Sequence, residues 1–216
     1  MNRRLPALLL PLLLLTGACS TAEPEPVPAT SEAAAPFADC ATLTTPLPTT
    51  NPVTSASTPP GAPAGELAGV ARELVGKPLP DLSLPCFTGG RAVSLAGIRG
   101  PALINLWASS CAPCRHELPA FQRLSERTEG RLRIIGVDTR DSRAAARSLG
   151  EDLGLRFPNL YDRDEQLRTH LGLNFLPITL AVDGEGRIRH VDMSGALDDQ
   201  KLATLVGEHL GVVVAG

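Results

Sequence analysis

The stretch from Ala102 to Thr128 constrains this chain more than any other. Ala102 to Ala108, ALINLWA, is an unbroken apolar run, as expected of a strand covered on both faces. Cys111 and Cys114 follow as a C-x-x-C pair, and residues 113–128 carry Leu118, Phe121 and Leu124 at helical spacing. Cys111 therefore sits between a buried strand and a helix N-terminus. Helix amides and the macrodipole stabilise an anion there, which lowers the pKa of a thiol at that point. Cys114 lies one turn further in, more buried and within reach of the first sulfur. The pattern makes Cys111 an attacking thiolate and Cys114 the resolving thiol, acting through a mixed disulfide. Pro113, in the first turn, presets φ and leaves no internal amide unpaired. One C-x-x-C without a second close pair is a poor zinc frame, so no metal is expected.

The rest of residues 66–216 alternates strand and helix patterns. Residues 66–75 have helical spacing. Leu82 to Leu84 and Ala92 to Leu95 flank Thr88-Gly89-Gly90 as a hairpin. Leu132 to Val137 is a second buried strand and Ala144 to Leu153 a helix. Asn159 to Tyr161 and Asp164 to Leu171 form a small strand–helix stretch, the latter ending at Gly172. Ile178 to Val182 and Arg187 to Asp192 pair across the turn at Asp183–Gly186, and a helix over Asp198 to Leu210 closes the domain. This order implies an α/β sandwich around a mixed sheet.

Half of the 20 prolines lie between Ser20 and Gly65, among Thr, Ser and Ala. Such a tract cannot bury enough apolar area to offset chain entropy, so residues 19–65 are expected to be an extended or disordered tether. Before it, Arg3 and Arg4 precede the apolar run Leu5 to Leu15, of signal-peptide length and too short to span a bilayer. Thr16-Gly17-Ala18-Cys19 resembles the lipobox of bacterial lipoproteins, with Thr16 where that motif prefers Leu. The resemblance implies removal of residues 1–18, lipidation of Cys19 and a membrane anchor. Ordinary cleavage to a soluble secreted form is the alternative. The net charge of -3 gives no basic face for nucleic acid.

With Cys19 acylated, four of the five cysteines remain, an even number for an oxidising compartment. Four cysteines allow three connectivities. With Cys111 paired to Cys114, Cys40 and Cys86 would form a structural disulfide that ties the tract to the domain edge.

Residues 107–119, WASSCAPCRHELP, resemble the TlpA/ResA-like extracytoplasmic thiol–disulfide oxidoreductases of the thioredoxin superfamily. The resemblance covers roughly residues 77 to 212. It implies a thioredoxin-like fold with a central mixed sheet flanked by helices, an N-terminal β-hairpin and a central αβ insertion. It also implies a redox-active disulfide at Cys111 and Cys114. Pro177 matches the cis-proline loop facing the active site, where a cis bond would present the Leu176 backbone to a substrate chain. Glu117 matches the acid that tunes the thiols and assists proton transfer. Asn105 stands in the place of thioredoxin's buried aspartate and cannot accept a thiol proton, so that role falls to Glu117 or water. Trp107 is expected beside the site, as a substrate contact or a core residue. Ser110 replaces the usual aromatic, and Ala112-Pro113 is neither Gly-Pro nor Glu-Pro, which leaves the potential open.

The implied function is a membrane-tethered reductase of exported protein disulfides, as in cytochrome c maturation. It would use no cofactor and be recharged by an upstream membrane electron donor. An oxidase or isomerase role uses the same motif. A thiol peroxidase would need Thr-x-x-Cys, and Ala108 stands three before Cys111. A copper chaperone would need a late-loop histidine, for which His170 and His190 are the candidates.

Overall fold

A computed structural model describes residues 35–47 and 66–214. The expected leader over residues 1–18, the expected lipidation site Cys19 and most of the expected tether lie outside the described residues.

The central sheet follows from the apolar runs. Strands β3 (Ala102–Trp107), β4 (Arg133–Thr139), β5 (Asn159–Asp162), β6 (Ile178–Val182) and β7 (Ile188–Asp192) lie in the order β5-β4-β3-β6-β7. β3, β4 and β5 run parallel, while β6 is antiparallel to β3 and β7 to β6. All six residues of β3 are buried, since the strand is central and both sheet faces are covered. Alternation divides them: Leu103 and Trp107 join one core layer, and Ala102, Ile104 and Leu106 join the other. Ahead of the sheet, β1 (Ser83–Leu84) and β2 (Val93–Ser94) form the expected hairpin.

The helices bury the apolar stripes read from sequence. Helix α2 (Ala112–Arg127) places Leu118, Phe121 and Leu124 in the first layer, with α5 (Asp199–Leu210) beside it through Leu202, Leu205 and Val206. α1 (Glu66–Leu74) packs Val70, Ala71 and Leu74 on the opposite layer. α3 (Arg143–Asp152) starts at Ser142, whose hydroxyl accepts from the Ala145 amide at 3.1 Å. α4 (Gln166–His170) is held by Asp162, whose two carboxylate oxygens each accept a backbone amide, from Gln166 and Leu167, at 2.9 Å. Together β5 and α4 form the small strand–helix stretch expected from the sequence.

Residues 35–47 depart from the expectation of an extended tether. Phe37, Cys40 and Leu43 are buried, and the Ala38 amide donates to the Arg156 carbonyl at 2.7 Å. Cys40 and Cys86 form a disulfide that closes a 46-residue separation. Phe37 meets Phe87 edge-on with ring centroids 4.8 Å apart and reaches Trp107 at 6.3 Å. Composition averaged over the tract hid two large apolar side chains beside a cysteine. A covalent tie lets so short a segment keep those contacts despite its chain entropy.

Candidate active site

β3 ends at Trp107, and the chain turns once before α2. The Cys111 amide donates to the Ala108 carbonyl at 3.1 Å, closing the turn. Ser109 binds Asp141 through both its amide and its hydroxyl, and the Asp141 carboxylate also accepts the Ser142 amide at 2.7 Å. The loop that carries the cysteines is thereby pinned to the loop that follows β4.

Cys111 is the N-cap of α2, and its sulfur accepts the Cys114 amide at 3.2 Å. Pro113 stands in the first turn, where its missing N–H costs no helical hydrogen bond. The two cysteines are joined as a disulfide. They are not equivalent: Cys114 has no exposed surface, whereas Cys111 is half-buried and opens into a cleft of about 400 Å³. Leu176 lines the same cleft. The Leu176–Pro177 bond is cis and Pro177 is buried at the start of β6.

Glu117 lies one helical turn beyond Cys114 and points into the core, not into water. Its Oε1 accepts from the Asn105 Nδ2 at 2.7 Å and its Oε2 from the Leu197 amide at 3.1 Å. Asn105 also donates to the Thr179 hydroxyl at 3.3 Å, its register partner across β3 and β6. Burial pushes the Glu117 carboxyl up to about 7. The Asn105 and Leu197 hydrogen bonds oppose that rise, and the nearby Asp192 charge adds to it. A carboxyl that titrates near neutrality can take a proton from a thiol and return it. The Asn105 Oδ1 is buried without a hydrogen-bond partner among the described residues.

Trp107 requires a correction. It has no exposed surface and so cannot touch a substrate. Its Nε1 donates to the Asn159 Oδ1 at 2.8 Å, and its ring packs under Phe37. A large aromatic at the end of a strand covered on both faces becomes core. Ser110 and His116 are exposed beside the cysteines. His190 stacks on His209 with centroids 4.0 Å apart, and His170 is exposed at the end of α4. Among the described residues no three His, Cys, Asp or Glu side chains converge to hold a metal ion.

Sequence reasoning missed Asp138, Asp141, Arg140 and Arg168. Asp138 is an acid inside an apolar strand, a signal that was present. Its two oxygens are buried without hydrogen-bond partners among the described residues, and burial, with Asp141 nearby, pushes the carboxyl up to about 8. The others come together only in three dimensions.

The profile of the AhpC/TSA family matches residues 75–191, more than half of the chain. This chain belongs to the AhpC/TSA family. Among named relatives, it is 35% identical over 124 residues to the thiol:disulfide interchange protein DsbE of Pseudomonas fluorescens biotype C, covering 56% of this chain and 68% of that protein. DsbE of Yersinia pestis is 32% identical over 145 residues, covering 64% of this chain and 76% of that protein. The crystal structure of a secreted thiol-disulfide isomerase from Corynebacterium glutamicum matches with a TM-score of 0.53 at 25% identity, over 62% of this chain and 83% of that one. The fold is thioredoxin-like, and this family member is a thiol–disulfide oxidoreductase.

Proposed function

We propose that Cys111 is the attacking thiolate, Cys114 the resolving thiol and Glu117 the group that moves the proton in reduction of exported protein disulfides. The observation that carries this reading is the asymmetry of the pair. Cys111 faces an open cleft at a helix N-terminus, and Cys114 is sealed on the side of a buried carboxyl. In the reduced protein the Cys111 thiolate attacks one sulfur of a substrate disulfide, and the other substrate sulfur leaves as a thiolate. Cys114 then loses its proton to Glu117 and attacks the Cys111 sulfur. The second substrate sulfur leaves and takes up a proton. Two electrons have passed to the substrate, and the protein holds the Cys111–Cys114 disulfide seen here. An upstream thiol donor at the membrane would return it to the dithiol. The Leu176 backbone, with neither its N–H nor its C=O hydrogen-bonded among the described residues, is suited to pair with an extended substrate segment.

Glu117 supports the reducing direction. Above its pKa it is an anion close to the cysteines, which opposes a specially stabilised thiolate, the property of strong oxidants. Export fits the leader-like residues 1–18, and lipidation of Cys19 would place the domain at the outer face of the cell membrane on its tether. Substrates of the kind handled in cytochrome c maturation fit the TlpA/ResA resemblance.

The test uses two variants. Cys111→Ser abolishes disulfide reduction, and Cys114→Ser accumulates mixed disulfides with substrate. Normal reductase activity in Cys111→Ser would reject the assignment. A potential as oxidising as about −120 mV would reject the direction. Intact mass of the exported protein checks Cys19: a mass without lipid rejects the anchor.

A further inference from the structure

The cleft into which Cys111 opens has a charge pattern that the redox step does not use. Ser110, Cys111, Thr139 and Leu176 line it, and among the described residues its charged lining residues are Arg140 and Arg168. Arg140 comes from the loop after β4, and Arg168 from helix α4. They meet at one carboxylate. The Arg140 Nε pairs with the Glu165 Oε1 at 3.1 Å, and the Arg168 guanidinium takes the Oε2 of the same residue. Two guanidinium groups thus share one negative charge.

The backbone is held in an unusual state to do this. Arg140 has φ 52° and Glu165 has φ 57°, and they are the non-glycine residues with positive φ among those described. Left-handed backbone is disfavoured for such side chains and persists where surrounding structure enforces it, often at ligand sites. Here both members of an ion pair at the mouth of the active-site cleft adopt it.

The other acids nearby do not line the cleft, although Asp162, from its place capping α4, acts electrostatically on Arg168. Asp141 accepts from Ser109 and the Ser142 amide, and Asp138 is buried on β4. Arg143 lies over the Phe87 and Tyr161 rings, away from this lining. The Arg140 side chain is 75% exposed, and no hydrogen bond engages its two terminal NH2 groups among the described residues. It offers a planar pair of donors of the kind that binds carboxylates in two-point fashion.

We infer that Arg140 and Arg168 form a carboxylate subsite beside Cys111, and that the preferred substrate is a polypeptide with an acidic residue flanking its cystine. The free Leu176 backbone in the same lining favours a polypeptide over a small disulfide, because an extended segment paired there would bring side chains flanking its cystine into the cleft that Arg140 lines. Helix α4 gains a function from this, since it carries Arg168 to the lining. The subsite rests on Cys111 being the attacking thiol.

The test measures kcat/KM of the reduced full-length protein on four disulfides: 2-hydroxyethyl disulfide as an uncharged reference, glutathione disulfide, and two cystine peptides that differ only in carrying Glu or Lys beside the cystine. The Glu peptide should exceed the Lys peptide by about tenfold at low ionic strength, and the ratio should shrink in about 0.5 M salt. Arg140→Gln should bring the ratio toward one, and Arg140→Glu should invert it. Each ratio is internal to one variant, so a general loss of activity does not distort it. Equal rates on the two peptides, or a preference that Arg140→Glu leaves in place, would overturn the subsite while turnover of 2-hydroxyethyl disulfide upholds the redox reading. Glutathione disulfide reduced as well as the Glu peptide would overturn the polypeptide preference. A wild-type protein inert toward all four would bring down the redox reading and the subsite with it.

Discussion

Asn105 on β3 donates its side-chain amide to Glu117 on α2 at 2.7 Å, so the strand and the helix that flank the cysteines meet through one buried polar contact. The amide is a fixed donor that stabilises the Glu117 anion without taking up a proton itself. One group therefore titrates on this side of the pair, with its pKa raised to about 7 by burial. A carboxyl that titrates near neutrality thus stands one helical turn from Cys114, whose sulfur has no exposed surface.

Glu117→Gln should slow disulfide exchange by about 10–100-fold, since general acid–base assistance of this kind is worth at least that much. The wild-type pH–rate profile should show a limb near pH 7 that the variant lacks. Stopped-flow rates on either side of neutrality check it. A limb that survives in Glu117→Gln would assign the proton transfer elsewhere.

Two buried acids make stability depend on pH in one direction. Glu117 rises from 4.5 to about 7 on folding, and Asp138 from 3.8 to about 8. Between each pair of values the unfolded chain has lost a proton that the native protein keeps. Stability is therefore fully present below the lower value and falls as pH rises through the folded one. The Glu117 share is on the order of 3 kcal/mol. Urea denaturation should give wild type a smaller stability at about pH 8 than at about pH 5. Glu117→Gln and Asp138→Asn should each lose part of that difference. Parallel pH dependence in wild type and variants would refute this.

Replacing Cys40 and Cys86 together by Ala should destabilise the domain by about 3–4 kcal/mol, from the loop of 46 residues that the bridge closes. The separation of Phe37 and Leu43 from the core should follow, and Phe37 protection in hydrogen exchange or proteolysis near residue 40 reports it. The Cys111–Cys114 couple should still cycle, because the bridge is not part of it. Loss of redox cycling in a variant that remains folded would contradict this division.

Gly136 on β4 is a close approach that no side chain fits. A Cβ there would lie 1.8 Å from the Asn159 Oδ1 and 2.9 Å from the Trp107 Nε1. Gly136→Ala should break the Trp107–Asn159 hydrogen bond and cost about 2–4 kcal/mol. Trp107 is the sole tryptophan, so its fluorescence reports the change directly. An unchanged emission spectrum and melting temperature would show that β4 yields without cost.

Much of this protein was legible from periodicity. The runs at 102–108 and 132–137 became the central parallel strands, and Leu118, Phe121 and Leu124 became the buried face of α2. The placement of the Cys111–Cys114 disulfide was legible as well, because a C-x-x-C between such a strand and such a helix specifies its own surroundings. Phe37 and Leu43 were misjudged because their burial depends on Cys86, which lies more than 40 residues away in sequence. Trp107 was open between site and core until Phe37 and Asn159 closed over it.

The order of strands and helices and the placement of Cys111 at a helix N-terminus could be read from the chain alone, since both depend on neighbours within a few residues. The burial of Glu117 against Asn105 and Leu197, and the sharing of Glu165 by Arg140 and Arg168, arise only when distant segments pack in three dimensions. The desolvation that raises a carboxyl to neutrality, and the charge presented to a substrate, depend on which distant segments pack together. Local pattern carries helix and strand periods, but it carries no record of what lies across the sheet.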